Sequence, residues 1–194
     1  MQETYSNEIY LSPTPHFSSK RKTKQIMLLV IVSLLPQCAA GIYHFGLSAL
    51  TTILVSVASC VLFETLFCLL IKKPVSTGDF SAVITGLLLA LTLPPTIPFW
   101  MTILGAFFAI IVAKAFFGGI GCNVWNPALT GRAFLVISFP LVMGGGYVLP
   151  GADAVSSATP LASVMPAAKA FSKEALDYYW TLFTGNHAGC IGET

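Results

Sequence analysis

The run Asp153-Ala154-Val155-Ser156-Ser157-Ala158-Thr159-Pro160 is a small polar stretch in a chain that is otherwise mostly hydrophobic. Its chemistry rests on the hydroxyl of Thr159, which has two uses. A threonine before a proline is an ordinary helix start. The hydroxyl caps free backbone N–H groups, and the proline takes the first helical position, where no N–H is needed. The same place suits a phosphate, because free N–H groups and the helix dipole both favour an anion. Thr159 is therefore a candidate helix cap or phosphate contact, with Asp153, Ser156, Ser157 and Ala158 around it.

Two other residues carry charge where charge is expensive. Glu64 lies in Leu62-Phe63-Glu64-Thr65-Leu66-Phe67, flanked by apolar residues. An intramembrane carboxylate is by default a candidate for ion handling. The alternative is that Glu64 lies near the interface, about two turns from Lys72, and pairs there. Arg132 can hold a phosphate or carboxylate through its planar guanidinium, or can extend its head to the interface. His187 has no partner at ligand spacing and reads as a polar loop residue. Cys38, Cys60, Cys68, Cys122 and Cys190 show neither CxxC nor Cys/His spacing, so no local zinc or iron–sulfur site is built. No side chain is assigned a catalytic acid or base role.

The elements that must position these residues follow from composition. Of 194 residues, 55% are hydrophobic and 9% charged, with mean hydropathy +0.79; soluble domains carry roughly 25% charged residues. This pattern is that of an integral, all-α membrane protein. A net charge of +2 with clustered basic residues excludes a nucleic-acid partner and leaves membrane lipid as the surroundings. Residues 1–24 are a polar tail ending in Lys20-Arg21-Lys22-Thr23-Lys24, and residues 25–143 contain five apolar spans. The spans are predicted at 25–43, 47–71, 80–93, 99–117 and 126–143. Pro36 predicts a kink in the first. The third is short of the ~20 residues a bilayer core requires and stops at Pro94-Pro95, as discontinuous helices lining a site do. Asn126 caps the fifth, with Pro127 as its first residue. Gly118-Gly119-Ile120-Gly121 either lets backbone approach a ligand closely or makes a tight connection between helices.

Sidedness follows from counting basic residues. Lys20, Arg21, Lys22, Lys24, Lys72 and Lys73 fall on one side, with Lys114 and Arg132 near its edge, while the connections at 44–46 and 94–98 carry no Lys or Arg. The basic side is cytoplasmic, so residues 144–194, with Thr159 and a short helix at 172–183, are extracytoplasmic. The chain ends on a glycine-rich stretch without a closing element, which reads as a truncation.

Several motifs in fixed order carry a family resemblance. They are Ser12-Pro13, Phe63-Glu64-Thr65-Leu66-Phe67, Asp79-Phe80-Ser81-Ala82, the run from Thr85-Gly86 to Pro94-Pro95, Phe117-Gly118-Gly119, Asn126-Pro127-Ala128-Leu129-Thr130-Gly131-Arg132, Ser156 to Thr159, and Gly192-Glu193-Thr194. The chain resembles the family that contains the D subunit of the Rnf ion-translocating ferredoxin:NAD oxidoreductases and the B subunit of the sodium-translocating NADH:quinone oxidoreductases. The resemblance implies two inverted repeats of five helices in a urea-transporter-like architecture, of which these spans match one. It implies FMN joined through its phosphate to Thr159 by a flavin transferase, electron relay among the other complex subunits, and a bacterial inner-membrane location. Ser157 stands where the family's Ser-Gly-Ala-Thr motif has glycine. The resemblance associates Glu64 with cation uptake. Riboflavin as a second, noncovalent flavin, and Na+ or H+ as the coupled ion, stay open. Two rival readings remain: a non-redox channel or transporter, suggested by Asn126-Pro127-Ala128, and a purely structural anchor for the complex.

Overall fold

The computed structural model describes residues 23–72, 76–149, 179–185 and 187–193. These residues are mostly helical and include no strand. The first two helices, α1 (Thr23–Phe45) and α2 (Leu47–Leu70), are long and apolar enough to cross a membrane. Gly46 alone joins them, at φ 62, a left-handed backbone that glycine adopts without steric cost. α1 runs through Pro36 as one helix. Leu28, Leu35, Leu54, Leu62 and Leu69 stand exposed along α1 and α2. Leucines left outside on helices apolar all round suit a surrounding of lipid rather than water.

The hub is the short helix α3 (Ser81–Leu91), which buries Ser81, Ala82, Ile84, Thr85, Gly86, Leu87, Leu89, Ala90 and Leu91. Its residues contribute to both apolar cores, one with Cys60, Ile110 and Leu135, the other with Cys38, Ile53 and Ile191. Glycines let the helices approach this closely. A Cβ on Gly86 would lie 2.7 Å from Val57 Cα of α2, and the Ser56 hydroxyl donates to the Gly86 carbonyl at 2.8 Å.

α4 (Phe99–Phe107) continues directly into a π-helical segment, Phe108–Ala115. It crosses α5 (Pro127–Ser138) through two further glycines: a Cβ on Gly131 would meet the Gly105 carbonyl oxygen at 2.6 Å. The expected Asn126 cap is present, its Oδ1 accepting from the N–H groups of Ala128 at 3.0 Å and Leu129 at 3.5 Å. The fifth span differs from expectation. It breaks at Phe139, φ −133 and ψ 59, and restarts as α6 (Pro140–Gly145). Pro140 lacks the N–H that would continue the ladder, and its ring excludes the preceding residue from helical geometry. The glycine run makes turns: Gly118, Gly119 and Gly121 have φ 111, 100 and 84.

Candidate functional site

The helices bring three polar side chains together in the half of the bundle that holds the start of α1. Lys114 Nζ donates to Glu64 Oε1 at 2.8 Å and to Ser81 Oγ at 2.6 Å. Glu64 is 6% exposed and Lys114 4%. Glu64 sits on α2 about 9 Å before the C-terminal end of that helix, at ~1.5 Å rise per residue. Its partner is therefore Lys114, across the bundle, and not Lys72 at the helix end. Lys114, expected near the membrane edge, is buried within the bundle. Burial explains the pairing: an isolated charge in an apolar interior is costly, and an opposite charge with further hydrogen bonds offsets that cost.

Local backbone features aim both partners. Lys114 lies in the π-helical segment, where the Lys114 carbonyl accepts from the N–H of Gly119, five residues on, at 3.1 Å. The wide π turn is an uncommon geometry found often at functional sites. Ser81 opens α3 immediately after Phe80, a non-glycine residue in left-handed geometry at φ 61. Such backbone costs on the order of 1 kcal/mol or more and persists where the surroundings enforce it. The Lys24 ammonium stands 5.2 Å from the centre of the Phe80 ring. The Thr85 hydroxyl donates back to the Ser81 carbonyl at 2.9 Å.

A cavity of about 400 Å³ borders this triad. Lys114 and Ser81 form part of its wall, with Thr85, Asn123, Asn126 and Met27. It therefore lies towards the end of the bundle where α1 and α5 begin. Ser81 and Lys114 are functional candidates that the spacing of the sequence does not single out. Lys114 is the one charged residue in the 99–117 span, and Ser81 lies in the Asp79-Phe80-Ser81-Ala82 run.

The opposite end holds a second arrangement. Residues 187–193 dock there. The Ile191 N–H donates to the Leu93 carbonyl at 3.1 Å and the Gly192 N–H to the Leu91 carbonyl at 2.8 Å. Gln37 Nε2 donates to the Gly192 carbonyl at 2.6 Å, and the Ile191 side chain is fully buried. The dock needs glycine on both sides: a Cβ on Gly41 would lie 2.7 Å from the Ile191 oxygen, and one on Gly192 would lie 2.8 Å from Leu91 Cβ. Glu193 turns back so that its Oε2 accepts from the Cys190 N–H at 3.3 Å. Burial pushes the Cys190 thiol pKa up, the Glu193 charge adds to this, and the positive charge of Arg132 opposes it. Arg132 is half-buried on α5. At the same end, the Thr96 hydroxyl donates to the Gly146 carbonyl at 2.7 Å.

Asp153, Ser156, Ser157, Ala158 and Thr159 lie outside the described residues, as does the first part of the expected helix at 172–183; residues 179–183 are helical.

Residues 10–194 match the family described as "NQR2, RnfD, RnfE family". The chain is 44% identical over 191 residues to the D subunit of the Na(+)-translocating ferredoxin:NAD(+) oxidoreductase complex of Acetobacterium woodii, covering 96% of this chain and 59% of that protein. It is 37% identical over 196 residues to the D subunit of the proton-translocating ferredoxin:NAD(+) oxidoreductase complex of Clostridium ljungdahlii, covering 97% of this chain and 59% of that protein. Against the D subunit of the ion-translocating oxidoreductase complex of Escherichia coli it is 43% identical over 135 residues, 69% of this chain and 38% of that protein. The chain thus spans 59% of the length of the first two relatives. With the match running from residue 10 through the buried pair, the cavity wall and the docked segment, the chain belongs to the NQR2, RnfD, RnfE family.

Proposed function

We propose that the chain serves in a membrane subunit of an Rnf-type ion-translocating ferredoxin:NAD+ oxidoreductase, relaying electrons through FMN esterified to Thr159 and coupling this to movement of Na+ or H+. The observation that carries the reading is the 44% identity, over 96% of the chain, to a relative from a Na+-translocating complex. The geometry supports it in two ways. Of the described residues before and after the Thr159 loop, Gly146 on Thr96 and Ile191 on Leu93 are tied to one end of the bundle. In this reading the attachment loop lies at that end, Asp153, Ser156, Ser157 and Ala158 flank the threonine in sequence, and Arg132 is the candidate partner of the anionic phosphate ester. The buried carboxylate of Glu64 lies towards the other end, where a cation entering from the cytoplasmic side would meet it.

The flavin ring supplies the electron acceptance and donation when attached; the chain's own residues hold it and exclude side reactions. A flavin transferase would install it, other subunits of the complex would exchange electrons with it, and the bacterial inner membrane would be the location, with the two halves of a urea-transporter-like repeat as the full architecture. Riboflavin as a second, noncovalent flavin belongs to the same reading.

The test is in-gel ultraviolet fluorescence of the full-length protein, coexpressed with a flavin transferase and fully denatured. A fluorescent band in the wild type that vanishes in Thr159→Ala is expected. No band despite an active transferase would return Thr159 to the role of helix cap and favour a channel or an anchor.

A further inference from the structure

The reading of Glu64 as a pathway carboxylate leaves open what occupies it at rest, and the inference here rests on that reading. Lys114 Nζ is held by two oxygens, Glu64 Oε1 at 2.8 Å and Ser81 Oγ at 2.6 Å. A carboxylate and a hydroxyl are the hard oxygen donors that small metal cations also take. An ammonium held between them therefore stands where such a cation would stand. The two cannot share the place, because their like charges would face each other at a few ångströms in a low-dielectric interior.

We propose that Glu64 and Ser81 form a monovalent-cation site that Lys114 occupies as a tethered substitute, and that a cation arriving through the adjoining cavity displaces the lysine. Either occupant neutralises Glu64, so the exchange never leaves that buried carboxylate uncompensated. The cavity of about 400 Å³ reaches both Lys114 and Ser81, which provides a route in for the cation and room for the expelled ammonium. The oxygens of Thr85 and Asn123 in its wall offer that ammonium new acceptors. Lys114 also rides on π-helical backbone, where reversion to α-helical register turns a side chain to a different face. The displacement thus needs no change in the helices that carry Glu64 and Ser81.

The experiment uses the full-length protein in its assembled complex, with Na+ as the probe and choline at equal ionic strength as control. The readout is the Na+-dependent rise in Tm, which reports binding by mass action. A lysine that fills the site most of the time weakens apparent Na+ binding by the fraction it leaves free, so Lys114→Gln should lower the half-saturating Na+ concentration about tenfold or more. Ser81→Ala should raise it, and Glu64→Gln should remove this response in both the wild-type and Lys114→Gln backgrounds. Lys114→Arg, which keeps a tethered cation, should not show the gain.

An unchanged half-saturating concentration in Lys114→Gln, or a gain that survives Glu64→Gln, would overturn the proposal. Should Lys114→Gln fail to assemble, an unaltered Na+ response in Ser81→Ala would overturn it equally. Flavin fluorescence at Thr159 in the same samples separates the two readings: a missing band with the Na+ pattern intact refutes the flavin relay alone, and an intact band without the pattern refutes the cation site alone.

Discussion

Two carboxylates at opposite ends of the bundle are handled in different ways. Glu64 is buried between α2 and the π-helical segment and requires a full opposite charge, that of Lys114. Glu193 is exposed on the docked segment and, among the described residues, accepts from the backbone N–H and the thiol of Cys190 in the same turn. Burial sets this contrast, since a carboxylate that keeps part of its water needs little from the protein, whereas one removed from water needs a counter-ion. The buried end therefore concentrates its energetics in one pair, and the other end spreads it over backbone hydrogen bonds and glycine contacts.

The sharpest way to break this contrast is to remove one partner at each end. Lys114→Ala should destabilise the full-length protein by about 3–5 kcal/mol, the cost of leaving a buried charge unpaired, read as a large fall in Tm in detergent. Glu193→Ala should cost within about 1 kcal/mol, the scale of a single hydrogen bond. Equal losses would show that the two carboxylates do not differ as their burial indicates.

A second comparison sets glycine against glycine. Gly86→Val forces a side chain into the α2 backbone, 2.7 Å from Val57 Cα at its Cβ, and overpacking of this kind costs about 1–3 kcal/mol or more. It should lower the Tm of the whole bundle. Gly192→Val meets Leu91 in the same fashion but should release only the docked segment. Hydrogen exchange at the Ile191 and Gly192 amides should speed up while the amides of α3 stay protected. Faster exchange throughout α3 would make the dock part of the core.

The smallest expected effect concerns the cysteines. Cys122 is exposed on the glycine-rich turn, and Cys190 is buried in the dock. A membrane-impermeant maleimide should label Cys122 at neutral pH from the side of the basic cluster, and Cys190 slowly if at all. Burial and the Glu193 charge raise the Cys190 pKa above the ordinary thiol value of 9.0. As pH climbs past that value the unfolded segment therefore loses its proton first. The thiol's contribution to docking is intact below pH 9.0, and is lost progressively above it. Labelling of both cysteines at equal rates at neutral pH would refute the dock, and labelling of Cys122 from the other side would refute the sidedness.

Much of the local structure was legible from residue types. Asn126-Pro127 marks a capped helix start, and the first two predicted spans agree within two residues with α1 and α2. These features are governed by short-range rules: which residue satisfies the first N–H groups, and how long an apolar run lasts. The predicted fifth span is too long because its hydrophobicity continues through Pro140, and there the missing N–H outweighs composition.

The sequence by itself determined the helical class, the family and the cost of placing a charge at Glu64. The tertiary structure alone decided that Lys114 pairs with Glu64 across 50 positions, that Ser81 joins them, that Gly86 and Gly131 are points of helix contact, and that Ile191 returns to the core. Helices that are apolar on nearly every side carry no periodic signal of which face meets which neighbour. Their contacts depend on crossing points set by small residues and on a π turn that changes register, and neither is encoded in the spacing of any one segment.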